Sequence, residues 1–89
     1  MKEVEIEIIN KLGLHARAAS KLVSLSSRYT SRIELGRGGR FIDAKSIMAL
    51  LLSSASKGTL IVLRADGEDE DEALEALCAL INNRFDEPD

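Results

Sequence analysis

Cysteine is nearly absent: Cys78 is the only one, and His15 is the only histidine. A lone cysteine cannot close an internal disulfide, and with one distant histidine it cannot complete a zinc site. Aromatic residues make up 3% of the chain against 45% apolar residues in all, so the core has to be built mainly from Leu, Ile, Val and Ala. There is no long apolar run. In the opening MKEVEIEIIN the glutamates recur at every second position, which excludes the apolar centre of a signal peptide or a membrane span. A cytoplasmic location is expected. Excess basic charge is missing too. The net charge of −3, with 30% charged residues, suits a well-solvated surface and offers no general attraction to nucleic acid or anionic membrane. No linker, repeat or low-complexity stretch divides the chain. Its 89 residues are enough for a single domain, 1–89, and too few for two. A core this thin leaves little room for a deep substrate pocket, and no cofactor or metal is expected.

What is present is a clear series of patterned segments. Glu3 to Ile8 alternates polar and apolar residues, which predicts a half-buried strand with Val4, Ile6 and Ile8 inward. Leu12-Gly13-Leu14 is a turn. From Ala16 the period becomes 3.6: Ala19, Leu22, Val23 and Ser26 share a helical face, with Lys21, Ser24 and Arg28 outward. Arg32 to Leu35 predicts a second strand, Gly36 to Arg40 (GRGGR) a glycine turn, and Phe41 to Asp43 a third strand. Ser46 opens a short helix over 47–52, a polar loop runs from Ser53 to Gly58, and Thr59 to Ala65 is a strand. The final helix starts in the acidic run Glu68–Glu72, which complements the positive end of its dipole, and carries Leu74, Leu77, Cys78 and Ile81 on one stripe. Asn82-Asn83 weakens its end and Pro88 stops the chain. The order is βαββαβα, an α+β arrangement with helices on one face of a mainly antiparallel sheet.

His15 stands out chemically. A lone histidine beside a helix is usually an ordinary flanking residue. Here, however, it sits at a helix start, where unpaired backbone N–H groups and the dipole favour an anion. Arg17 follows in the first turn with a planar fork of donors suited to phosphate oxygens. Imidazole is a competent nucleophile at neutral pH, and no residues are spaced for a hydrolytic triad. The residues point to an anion site with a nucleophilic histidine. "GRGGR" resembles an RNA-binding segment, but a single copy in an acidic chain reads as a hairpin turn. Cys78 reads as a small buried residue.

The segments NKLGLHARAASKLV, AKSIMALL and KGTLIVLRADGEDEDEAL, in this element order, closely resemble the HPr family of histidine phosphocarriers of the bacterial phosphotransferase system. NKLG, IMALLLSSASKG and ALINNRFDE are more similar to its nitrogen-related NPr branch. The resemblance implies an open-faced β-sandwich, a four-stranded antiparallel sheet with three helices on one face. It implies a carrier without turnover of its own. His15 would accept a phosphoryl group on Nδ1 from phosphorylated Enzyme I, or the nitrogen-branch counterpart, with phosphoenolpyruvate as ultimate donor. An Enzyme IIA domain would receive it. Arg17 and the backbone N–H groups of Ala16 and Arg17 would stabilise the phosphoryl group. The resemblance also makes Ser46 a target of HPr kinase/phosphorylase, although a serine there is explained equally by helix capping. The short helix is too apolar to bury every side chain, so Ile47, Met48 and Leu51 are expected to dock partners, with Leu50 in the core. A monomer with a regulatory role is expected. The rival is a non-transferring regulator of the same fold that acts by binding partners. One position departs from the family: Ala18 stands where proline is usual, which leaves the helix start less preorganised by about 0.4–1 kcal/mol.

Overall fold

In a computed structural model, residues 1–88 are described. The sequence forms β1 (Lys2–Glu7), α1 (Ala16–Ser26), β2 (Arg32–Arg37), β3 (Arg40–Asp43), α2 (Ile47–Ser53), β4 (Leu60–Asp66) and α3 (Glu70–Asn82), followed by a single 3-10 turn at Arg84–Asp86. The strands make one sheet in the order β1-β4-β2-β3, every pair antiparallel. Register follows from the period-two patterns: Ile6 pairs with Ile61 and Leu35 with Leu63. Ile33, Leu35, Ile61, Leu63 and Ala65 therefore point to one face, where they meet Ala18, Ala19 and Leu22 of α1, Leu50 of α2, and Leu77 and Ile81 of α3 in a single cluster. The three helices cover that face and the other remains open, as expected of the HPr-like sandwich.

Truncating a central residue such as Leu22 or Leu77, both fully buried, would cost about 2–5 kcal/mol. The aliphatic expectation needs one amendment: the largest buried side chain is Phe85, which returns from beyond α3. Val4 and Val23 lie at the margin of the cluster, half-buried.

Boundaries move where local signals mislead. Gly36 belongs to β2 and pairs with Phe41, instead of opening the turn, and the chain reverses at Gly38-Gly39. The reason is a close approach: a Cβ on Gly36 would lie 2.5 Å from the Phe41 ring, so glycine lets that ring lie flat across the strand. The Arg64 guanidinium lies over the same ring, 3.6 Å from its centroid. Strand β4 is shifted one residue toward the C-terminus and α2 extends through Ser53. Helix α3 starts at Glu70, with Asp69 outside it as N-cap. Cys78 is a free thiol, half-buried at the edge of the core, and burial pushes its pKa up.

Candidate functional site

The loop between β1 and α1 is fixed at several points before it delivers His15. Ile8 N–H donates to the Thr59 carbonyl at 2.9 Å, and Leu14 N–H to the Ala55 carbonyl at 2.8 Å. Between them Gly13 adopts φ +66°, with the place of a Cβ only 2.5 Å from the Ala55 carbonyl oxygen; any side chain would be both strained and excluded there. Asn10 is fully buried, and its amide donates one hydrogen to the Gly13 carbonyl at 2.8 Å.

His15 is the N-cap of α1. Its backbone is extended (φ −78°, ψ −179°), and its carbonyl accepts the Ala19 N–H at 2.8 Å. Its side chain also caps: Nδ1 accepts from the Arg17 N–H at 3.3 Å. An imidazole replaces the usual Ser or Asp at this position. No acidic residue occupies the first turn of α1, so the positive end of the dipole is not neutralised by the helix's own side chains. Arg17 is exposed, and among the described residues its guanidinium forms no ion pair. The structure places His15, Arg17 and the helix-start amides of Ala16 and Arg17 within the first turn of α1.

Two further residues belong to the site and were missed. His15 Nε2 pairs with Glu87 Oε2, and Glu87 Oε1 accepts the second Asn10 amide hydrogen at 2.9 Å. Burial pushes the Glu87 carboxyl up, but the hydrogen bonds from Asn10 and His15 and the charges of His15 and Arg17 outweigh it. The net shift is downward. The tail that carries Glu87 is tied to α1: Lys21 Nζ donates to the Phe85 carbonyl at 2.8 Å and approaches Asp86 at 3.6 Å. Lys21 therefore reaches the tail instead of simply facing solvent.

Ser46 caps α2, its Oγ accepting the Ala49 N–H at 3.2 Å. Leu50 is fully buried, while Ile47 (39%), Met48 (63%) and Leu51 (36%) are exposed to the stated extents. Leu12, in the loop before His15, and Leu52 are also exposed and were not singled out from the sequence. Helices α1 and α2 pack against each other, so the apolar surface of α2 lies on an element adjoining the one that bears His15. Among the described residues there is no cluster of three metal-ligating side chains, and no helix is long and apolar enough to cross a membrane.

Comparison with known proteins agrees with this geometry. Residues 2–83 match the PTS-HPr family, described as the PTS HPr component phosphorylation site. A phosphocarrier protein HPr from Pseudomonas aeruginosa is 56% identical over 98% of both chains. A phosphocarrier protein NPr from Shewanella violacea is 44% identical, covering 96% of this chain and 93% of its own. The HPr-named relative is thus the more similar of the two, although the sequence segments leaned toward NPr. A crystal structure of HPr from Thermoanaerobacter tengcongensis superposes with a TM-score of 0.95 at 45% identity, covering 98% of both chains. With a lone imidazole capping a helix start and these matches over nearly its whole length, the chain belongs to the PTS-HPr family of phosphocarrier proteins, which carry a phosphoryl group without being catalysts themselves.

Proposed function

We propose that His15 accepts a phosphoryl group on Nδ1 from phosphorylated Enzyme I, with phosphoenolpyruvate as ultimate donor, and passes it to an Enzyme IIA domain. The observation that carries this reading is the environment of Nδ1. It faces the Arg17 N–H at the start of α1, a helix end with no acid of its own and with an arginine free to fork onto phosphate oxygens. A phosphoryl group on Nδ1 would meet backbone donors, the positive end of the dipole and the Arg17 guanidinium together. Ile47, Met48 and Leu51 would supply the apolar part of the docking surface. Ser46 is fully accounted for as a cap; a regulatory phosphate there rests on the family resemblance. The chain would act as a monomer in the cytoplasm.

The test is incubation with Enzyme I and phosphoenolpyruvate, followed by mapping of acid-labile phosphate. The expected result is one phosphoryl group per chain on His15, transferable to Enzyme IIA and absent from His15→Ala. That variant should stay folded and lose about 1 kcal/mol with the N-cap. Failure of the parent to accept phosphate while still binding these partners would favour the non-transferring regulator.

A further inference from the structure

Contacts of the C-terminal tail converge on the phosphorylatable ring. Phe85 is buried in the core, and Lys21 of α1 holds its carbonyl. The backbone at Arg84, Phe85 and Asp86 runs through positive φ values of 56°, 53° and 62°, which turns the chain back over the start of α1. Glu87 arrives there with one oxygen on Asn10 and the other on His15 Nε2. Asn10 leaves its own Oδ1 without a partner, so its side chain serves here as a donor only. This is the orientation that a carboxylate and a carbonyl, both pure acceptors, require.

The two sides of the His15 ring are therefore assigned opposite roles. Nδ1 faces an N–H donor, so it must offer its lone pair. Nε2 faces a carboxylate oxygen, so it must carry the hydrogen. We propose that Glu87 is a positioning residue for phosphoryl transfer: it fixes the ring with Nε2–H inward and the Nδ1 lone pair free, and it balances the positive charge the ring acquires when Nδ1 is phosphorylated. The proposal rests on the phosphocarrier reading above. In the step, the Nδ1 lone pair forms the new bond to phosphorus, while the donor's bond to phosphorus breaks and leaves its electron pair on the donor. No proton has to leave: the Nε2 hydrogen stays on a ring that has become cationic, and the Glu87 carboxylate lies against it. Arg17, the other charged group near this carboxylate, stays available to the phosphoryl oxygens.

Glu87→Gln is a sharp test. A carboxylate accepts at both oxygens, whereas an amide accepts at one only, so its NH₂ must oppose a donor on either Asn10 or His15. Glu87→Ala removes both contacts. Nitrogen NMR of the neutral His15 imidazole in unphosphorylated protein should show hydrogen on Nε2 alone in the parent and a mixture of the two forms in both variants. Unchanged amide signals from the core would accompany this. The equilibrium for phosphorylation by Enzyme I should fall roughly tenfold in Glu87→Ala, the effect of losing a hydrogen bond to a charged group. A purely structural tail would move stability without moving the site of the ring hydrogen. An unaltered ring form and an unaltered equilibrium in Glu87→Ala would overturn the proposal. The ring measurement needs no phosphate, so it judges Glu87 even if the parent fails to accept a phosphoryl group, which would count against the phosphocarrier reading instead.

Discussion

Helices α1 and α3 begin with the same unpaired N–H groups and the same dipole, yet the sequence treats the two ends in opposite ways. At α3 the first turn holds Glu70, Asp71 and Glu72. Two of these acids are matched by cations at the start of the chain: the N-terminal amine lies 3.3 Å from Glu70, and Lys2 lies 2.6 Å from Asp71. Asp69 turns its carboxylate away from its own helix to accept the Thr30 and Ser31 N–H groups, both at 2.9 Å. Asp69, Glu70 and Asp71 thus each have a partner there. At α1 the first turn has no acid, the cap is a weakly accepting imidazole nitrogen, and among the described residues Arg17 forms no ion pair. Negative charge in the first turn stabilises a helix, so a first turn without an acid forgoes stability and, under the function proposed above, leaves the Nδ1 side of His15 to an external anion. Under the proposed function, the difference separates a helix start built for folding from one built for a ligand.

Exchanging the character of the two ends breaks the comparison. Arg17→Glu would give α1 an acid like those of α3. Phosphoryl acceptance should drop roughly a hundredfold, as expected when a transition-state donor is replaced by a like charge. The fold should be unharmed or gain about 0.3–1 kcal/mol from the dipole. Transfer rates with Enzyme I, read beside thermal melts, check both halves.

The converse change is Asp69→Ala. It should lower the melting temperature by several degrees, because two backbone N–H groups lose their acceptor, and leave phosphoryl acceptance as it was. The pH dependence has a definite sign. Hydrogen bonds from Ser31 and Thr30 hold the Asp69 carboxyl at about 2, below its ordinary 3.8. Its contribution is therefore present above pH 3.8 and lost as the pH falls through about 2. The parent should lose its stability advantage over Asp69→Ala across that interval, as measured by unfolding at a series of pH values.

A smaller effect is expected at α2. Ser46→Asp keeps a capping oxygen, so folding should hardly change. The added charge beside Ile47 and Met48 should slow phosphorylation about threefold at low salt and less at high salt, through a lower association rate. Met48→Ala should slow it without salt dependence. Equal rates for the parent and both variants would show that α2 is not part of the docking surface.

The sequence made some of this legible and concealed the rest for physical reasons. Strict alternation in β1, the apolar β-branched run of β4, the 3.6 period of α1 and the cap at Ser46 are local signals, and the elements formed there within a residue or two. His15 and Arg17 were found because both lie within one helical turn. Gly36 was misplaced because three glycines in five residues look alike in composition, while only the close approach of Phe41 shows that the first belongs to the strand. Glu87 was missed because its partner, His15, lies 72 residues away and no periodicity marks a contact of that kind. The available clue was Phe85, an apolar aromatic in a polar tail, which needed somewhere to be buried and so brought the next residues back to α1. Leu12 and Leu52 went unnoticed because their exposure depends on how the loops turn.

The central claim is that the open start of α1 receives a phosphoryl group on one particular nitrogen. NMR of uniformly nitrogen-labelled protein after reaction with Enzyme I and phosphoenolpyruvate tests it most directly, because coupling between phosphorus and a ring nitrogen identifies the bonded atom. Coupling to Nδ1 of His15 is the predicted result. Coupling to Nε2, or phosphate on any other residue, would contradict the account.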